Sequence, residues 1–158
     1  MLYHEELKRA KNAHEVNRKF LNELRQKRPR NLDEQFHKVH DEIFREVDCL
    51  QCANCCKTTS PIFTESDITR LARSLRMKTP EFITEYLWKD EDNDFVLKGA
   101  PCPFLGLDNK CIVYADRPRA CREYPHTNRK RMYQIMPLTL RNTLVCPAVS
   151  RIVERLRR

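Results

Sequence analysis

The chain has 158 residues, of which 41% are hydrophobic and 33% are charged, and its formal net charge is +8. No stretch approaches the roughly 20 apolar residues of a transmembrane helix, so a single soluble domain with a modest core is predicted. The only two glycines, Gly99 and Gly106, exclude a Walker-type phosphate loop and the G-x-G-x-x-G turn, and with them nucleotide-dependent catalysis of those kinds.

Two charged amphipathic helices are predicted before the first cysteine. The first covers most of the first thirty residues, has a thin apolar face and ends at Arg28-Pro29-Arg30. Asn31 and Glu34 form a plausible capping box for the second helix. Its apolar residues recur at helical spacing: Leu32, Phe36, Val39, Ile43 and Val47. This second helix delivers the chain to Cys49.

Two further helices are predicted after the first cysteines. Thr64 or Ser66 caps the first of them, whose apolar face is formed by Ile68, Leu71, Ala72 and Leu75. Thr79 and Pro80 start the second, which closes with Trp88. Its apolar face carries Phe82, Ile83, Tyr86 and Leu87. Both helices are expected to pack in the core.

Short β-prone runs follow, at 95–97, 102–105 and 111–114. Turn residues separate the last two runs, so a small hairpin with Cys102 on one arm and Cys111 on the other is predicted. Asp116 is expected to cap a short helix that stops by Pro125.

A final helix is predicted to open at Cys146-Pro147, with Val149, Ile152, Val153 and Leu156 on one face. Together the elements predict a mainly α fold, in which helices and a short β-hairpin surround a cysteine-rich core. We assign 1–47 to an N-terminal helical segment and 48–158 to a cysteine-cluster domain.

Four cysteines fall within eight residues, in the pattern Cys49-x-x-Cys52-x-x-Cys55-Cys56. Four more follow, at Cys102, Cys111, Cys121 and Cys146. Two thiolates that are separated by two residues can bind one ion across a tight turn. A third cysteine after two more residues can add a third ligand to the same ion. Adjacent Cys55 and Cys56 project in different directions, so one of them can serve a second centre. All eight cysteines are predicted metal ligands.

Disulfides and inert buried thiols are the competing explanations of these cysteines. The N-terminus has no apolar signal segment, so a cytoplasmic, reducing location is expected and a disulfide framework is disfavoured. Core thiols without a metal do not bunch at x-x spacing. Metal binding is therefore the preferred interpretation.

Cysteine spacing separates zinc from an iron–sulfur cluster poorly, because both accept four thiolates in tetrahedral disposition. Three cysteines at x-x steps and a remote cysteine before proline are similar to the ferredoxin arrangement, and Cys102-Pro103 and Cys146-Pro147 both offer that remote ligand. The pattern favours an iron–sulfur cluster of the 4Fe-4S type, while zinc knuckles stay open.

Four separated motifs occur in one order, beginning with the CxxCxxCC pattern at 49–56. The others are Cys102-Pro-Phe-Leu, Cys111-x-Val-Tyr114 and Arg117-Pro-x-x-Cys121-Arg-x-Tyr-Pro125. Over residues 48–147 the chain resembles the CxxCxxCC cysteine-cluster (YkgJ-like) family of bacterial proteins. The resemblance implies zinc or iron chelation, often as an iron–sulfur protein, and a similar domain is associated with flagellin lysine methylases.

Arg117 and Arg122 fall inside the last of these motifs and are predicted to contact the cofactor through its sulfurs. The predicted function is metal binding, in a redox or protein-modification role. A protein or redox partner is expected, and the sequence leaves open whether the chain is itself an enzyme. The alternative is a zinc-stabilised nucleic-acid-binding module, suggested by the basic stretch 127–158. The basic residues do not alternate with aromatic residues, as they do in many nucleic-acid-binding segments, and this argues against nucleic acid as a partner.

Overall fold

The computed structural model describes residues 3–158 and is mainly helical. In chain order the helices are α1 His4–Asn12, α2 His14–Lys27, α3 Leu32–Phe44, α4 Cys49–Cys52, α5 Asn54–Thr58, α6 Glu65–Ser74, α7 Thr79–Tyr86, α8 Arg119–Glu123, α9 Met136–Thr143 and α10 Pro147–Arg157. The strands are β1 Ile62–Phe63, β2 Leu87–Lys89 and β3 Phe95–Leu97. They form an antiparallel sheet with β3 in the centre. The predicted fold class is confirmed.

The chain groups into two compact units. The first comprises the residues up to Cys52 together with Pro125–Arg158, and the second comprises Ala53–Tyr124. The predicted division between residues 47 and 48 stays a prediction. Across residues 3–158, no helix combines the length and the apolar character that a membrane span requires.

In the first unit, α10 packs against α1, α3 and α9, and α2 packs against α9. The apolar face predicted for α3 is buried at Leu32, Phe36, Val39 and Ile43. The helix ends at Phe44, before the predicted position Val47, which is buried as well. On α10, Val149, Ile152 and Val153 are fully buried, as their helical spacing predicts.

Two local predictions in this unit are wrong. The N-terminal helix is interrupted at Ala13, so that α1 and α2 are separate helices. Asn31 makes no side-chain capping bond at the start of α3. Instead, the carboxylate of Asp33 in the first turn accepts hydrogen bonds from the backbone N–H groups of Arg131 and Met132, both at 2.8 Å.

In the second unit, α6 begins with the predicted cap at Thr64. Its Oγ1 accepts a bond from the Asp67 N–H at 3.1 Å, and the Asp67 carboxylate accepts one from the Thr64 N–H at 2.9 Å. The aromatic core lies beside this helix, with the rings of Phe82 and Phe104 stacked at a centroid distance of 6.0 Å. Tyr86 packs on Phe104 at 4.9 Å.

The short β segments differ from their prediction. Helix α7 ends at Tyr86, and Leu87–Lys89 pairs with β3, which leaves Trp88 exposed. The segments predicted as a hairpin with a cysteine on each arm are loops joined by a single bridge between Leu105 and Cys111. The hairpin of the fold is therefore β2–β3, and β3 also pairs with β1 in the same sheet.

Candidate metal centres

Cys56 and Cys102 are brought together by the backbone of the second unit. Cys56 lies on α5, which begins after Ala53 in the left-handed conformation at φ 48°. The N–H of Cys102 donates to the carbonyl oxygen of Cys56 at 2.8 Å. Two cysteines 46 residues apart in the sequence are thus direct backbone neighbours.

The loop between Cys102 and Cys111 folds back on itself. The Leu105 N–H donates to the carbonyl of Cys102 at 3.1 Å, and the Ile112 N–H donates to the carbonyl of Phe104 at 2.8 Å. Phe104 is buried and anchors the loop in the aromatic core. The loop therefore holds both of its cysteines against the core of the second unit.

Cys121 lies on the short helix α8, which follows the segment 116–118. This segment is tied to α6 by Arg70, whose guanidinium donates to the carbonyl of Asp116 at 3.2 Å and to that of Arg117 at 3.0 Å. The Arg119 N–H donates to the carboxylate of Asp67 at 3.2 Å. These bonds position α8 and with it the Cys121 thiol.

The pKa values show that the thiols of the second unit influence one another. Burial, followed by the charges of Cys56, Cys102 and Cys111, raises the pKa of Cys121 to about 12. Burial raises the pKa of Cys102 to about 11, and the charges of Cys56 and Cys111 add to this effect. Repulsion between thiolates is felt only over short distances. Cys56, Cys102, Cys111 and Cys121 are therefore neighbours, and we call them the four-cysteine cluster.

Cys55 has a different part from its neighbour Cys56. A hydrogen bond from the Cys55 side chain is the main reason that the pKa of Cys56 falls to about 7. Donation to a thiolate stabilises its charged form. Cys55 thus supports Cys56, and Cys56 carries the most readily ionised thiol of the cluster.

Arg117 adds positive charge beside the same cluster. Its charge opposes the burial that raises the pKa of the Cys111 and Cys121 thiols. The guanidinium lies 4.0 Å from the centroid of the Tyr114 ring and donates to the Tyr114 carbonyl at 2.8 Å, which holds it in place. Arg122, the other arginine predicted to contact the cofactor, is exposed.

The first unit contains Cys49, Cys52 and Cys146. Cys49 and Cys52 are three residues apart on the single turn of α4, where the Cys52 N–H donates to the carbonyl of Asp48 at 3.1 Å. Residues at this spacing share one face of a helix. Cys146 is the N-cap residue of α10 and is only 8% exposed.

Cys49 and Cys52 both act on the pKa of Cys146. Burial raises the pKa of Cys146 to about 12, and the charges of Cys49 and Cys52 contribute to the rise. We call the three residues the three-cysteine cluster. A buried thiol with this pKa keeps its proton at neutral pH until a metal ion displaces it.

The donor chemistry fits a thiophilic metal, although no ligand shell is closed. All eight cysteines lie in the described part of the chain, and none forms a disulfide. Within residues 3–158, no three His, Cys, Asp or Glu side chains are placed so that they could already hold an ion. Charge effects reach farther than metal–sulfur bonds of about 2.3 Å.

Two histidines of α3, His37 and His40, make hydrogen bonds to the segment 127–129. His37 Nε2 lies 2.7 Å from the carbonyl oxygen of Arg129, and His40 Nδ1 lies 2.7 Å from Oγ1 of the buried Thr127. Sequence reasoning missed Asp67 and Arg70, which support the Cys121 segment. Asp67 is the N3 residue of the capping box of α6, and the cap alone explains an aspartate at this position. The sequence therefore contained no signal for its second role, the bond to the Arg119 N–H.

Comparison with protein families matches residues 48–140 to CxxCxxCC, described as "Putative zinc- or iron-chelating domain". The match spans more than half of the chain, and the chain belongs to this family. Its description agrees with the thiol-rich clusters found in both units. Comparisons with curated proteins and with solved structures find no match.

Proposed function

We propose that the protein binds an iron–sulfur cluster or zinc through its cysteines, with the four-cysteine cluster as its main centre. The observation that carries this proposal is the meeting of Cys56, Cys102, Cys111 and Cys121 in one compact unit. Four thiolates match the ligand requirement of Zn²⁺ and of a 4Fe-4S cluster alike. The family description supports the same chemistry.

An iron–sulfur cluster of the 4Fe-4S type is the preferred cofactor. Support comes from Cys102, a member of the four-cysteine cluster that precedes proline as the remote ligand of the ferredoxin arrangement does. The x-x steps at Cys49, Cys52 and Cys55 and the second Cys-Pro pair at 146 lie outside this cluster. Such a cluster would supply one-electron chemistry, and Arg117 would offset part of the negative charge of its thiolate ligands. A redox or protein-modification role with a protein partner, in the cytoplasm, follows from this proposal.

The alternative of a zinc-stabilised nucleic-acid-binding module has less support. Three outward arginines of the basic C-terminal helix are paired with carboxylates: Arg151 with Glu6 and Glu46, Arg155 with Glu42, and Arg158 with Glu154. Paired guanidinium groups offer less free charge to phosphates. We therefore propose no nucleic acid as a partner.

Anaerobic purification followed by analysis of iron, sulfide and zinc per chain tests the proposed function. We expect at least one metal ion or cluster per chain, together with a lower melting temperature after chelation, because metal binding stabilises the fold that positions its ligands. The visible spectrum separates the two cofactors, since zinc is colourless. Less than one metal per chain and an unchanged melting curve with chelator would contradict the proposal.

A further inference from the structure

We infer that the outer face of the three-stranded sheet docks a segment of a partner protein that is both apolar and basic. The surface consists of Ile62, Val96 and Trp88 together with the acidic loop 90–94, and all of it belongs to the second unit. We call it the Trp88 face. The inference goes beyond metal binding and holds whichever ion the cysteines bind.

The pairing of the strands aligns the three apolar side chains. Ile62 on β1 and Trp88 on β2 are both paired with Val96 on the central strand β3. Directly paired residues of neighbouring strands point to the same face of a sheet, with Cβ atoms about 5 Å apart. The three side chains therefore form one continuous row across the sheet.

This row lies on the face of the sheet that is turned away from the core. Ile62 is 48% exposed, Trp88 is 57% exposed, and Val96 between them is partly exposed. Their neighbours on the opposite face, Phe63 and Leu87, are each only 3% exposed and belong to the core of the second unit. Single exposed apolar residues are ordinary, but a contiguous apolar patch marks an interaction site.

Negative charge borders one end of the row. The loop that joins β2 to β3 carries four carboxylates, those of Asp90, Glu91, Asp92 and Asp94. The Asp90 carboxylate orders the loop, because it accepts bonds from the N–H groups of Asp92 at 3.0 Å and Asp94 at 2.9 Å. Lys89 is paired with Phe95, and its ammonium lies 5.1 Å from the centroid of that ring, on the opposite face from Trp88. The acidic loop thus stands out on a chain whose formal charge is +8.

An apolar row beside carboxylates is complementary to a segment in which lysine or arginine stands next to apolar side chains. Burial of the row supplies affinity, while opposite charge sets the orientation and speeds association. An anionic membrane is a poor occupant, because its surface potential repels the carboxylates of the loop. Three side chains bury a small area, so the expected complex is weak and transient.

Selection from a peptide display library on the full-length, anaerobically purified protein tests the inference. We expect the enriched peptides to combine apolar residues with a surplus of lysine and arginine. Trp88 is the single tryptophan of the chain, so its fluorescence reports on this face directly. Addition of an enriched peptide should move the emission to shorter wavelength, because the indole leaves water.

One pair of variants tests the apolar row. Ile62→Ser should weaken binding of the enriched peptides by about 10-fold, a usual loss when a central interface side chain is truncated. Val16→Ser is the matched control, because Val16 is also β-branched and is 51% exposed, on α2 of the first unit. We expect this control to bind as the wild type does.

A second pair of variants tests the charge and decides the matter if Ile62→Ser fails to fold. Glu91→Lys/Asp92→Lys should weaken binding by about 10-fold at low salt and by less at high salt, since salt screens exposed charges. Glu34→Lys/Asp41→Lys makes the same change of charge at exposed positions of α3 and should leave binding unchanged.

Several outcomes would overturn the inference. They are the enrichment of no peptide or of acidic peptides, and equal binding by each variant and its control. The same fluorescence shift on neutral phosphatidylcholine vesicles, without peptide binding, would assign the face to a lipid surface. A dimer in sedimentation that Ile62→Ser abolishes would assign it to a second copy of the chain. Metal content is measured in the same samples, so any of these failures leaves the proposed metal binding intact.

Discussion

Asp67 connects a helix cap to the four-cysteine cluster. Its carboxylate accepts bonds from the Thr64 N–H, from the Arg70 guanidinium at 2.8 Å and from the Arg119 N–H, while its side chain is almost completely buried. Burial raises the pKa of Asp67, but these bonds outweigh it and lower the pKa below its usual value. The charged carboxylate is therefore the form that the fold requires.

We expect Asp67→Asn to lower the free energy of unfolding by about 1–3 kcal/mol, because it removes a charged acceptor from buried donors. A lowered pKa contributes stability above the unfolded value of about 4, and this stability is lost as pH falls through the folded value. The difference from wild type should thus shrink below about pH 4. Denaturant unfolding across pH measures it, with the exposed Asp92→Asn as control. An equal loss in both variants would contradict the role of Asp67.

Arg117 acts at the same scale through charge. It favours the thiolate forms of Cys111 and Cys121, and metal ions bind thiolates in competition with protons. The stacked position over Tyr114 keeps the guanidinium close to these sulfurs. The exposed Arg122 provides a comparison within the same motif.

Replacement of Arg117 by Gln should weaken zinc binding by about 10-fold, a typical loss for residues that support metal ligands. The loss should diminish as pH rises, because fewer thiols then need to be deprotonated by the metal. Competition with a coloured chelator measures the affinity, and Arg122→Gln is the matched control. Equal weakening in the two variants would show that both arginines contact the cofactor.

At the scale of elements, α10 shows how one helix can serve the core and the surface. Val149, Ile152 and Val153 are fully buried, while its arginines pair with carboxylates of the first unit. The pair of Arg151 with Glu6 is the least exposed of these ion pairs. Burial raises the pKa of Glu6, but the hydrogen bond and the charge of Arg151 lower it below its usual value. Its charge is part of the packing, in contrast to that of its exposed neighbours.

We therefore expect Arg151→Gln to cost about 1–2 kcal/mol of folding free energy, since it strands the partly buried Glu6. The triple variant Arg155→Gln/Arg157→Gln/Arg158→Gln should change stability by no more than about 0.5 kcal/mol, because exposed ion pairs contribute little. Thermal unfolding and zinc content measure both effects. A triple variant that loses metal, or that abolishes tight sequence-selective nucleic-acid binding, would contradict the proposed surface role.

At the scale of the whole molecule, metal-bound cysteine thiolates would compensate part of the excess of positive charge. The formal charge of +8 treats every thiol as neutral. Zinc bound to four thiolates leaves a complex with two negative charges. An occupied four-cysteine cluster would thus neutralise part of the basicity that otherwise suggests a polyanionic ligand.

Native capillary electrophoresis under anaerobic conditions near neutral pH should therefore show a net charge lower by about one to two for the zinc-loaded protein than for the apo-protein. The decrease is smaller than two because the Cys56 thiol, with a pKa of about 7, is already partly ionised in the apo-protein. A net charge that rises on zinc loading would contradict binding by four thiolates.

Local features of the fold were predictable from the sequence because their physics is local. The spacing of Phe36, Val39 and Ile43 identified the buried face of α3, since helical periodicity depends on neighbouring residues alone. The Thr64 cap was identified for the same reason, whereas Asn31 makes no cap, because its backbone at φ −96° and ψ 16° lies outside the extended region that capping residues adopt. Contacts with distant segments, such as the bonds to Asp33 from Arg131 and Met132, are absent from a local pattern.

By itself the sequence determined the helical faces, the family and a set of thiols suited to a metal. Tertiary structure decided that Cys56 and Cys102 meet, because the backbone bond between them depends on a contact between distant segments. The tertiary structure also made Leu87–Lys89 a strand. Pairing with β3 outweighed the helical spacing of the apolar residues that predicted a helix as far as Trp88. Cysteine spacing states which donors are available, and only the fold decides which of them meet.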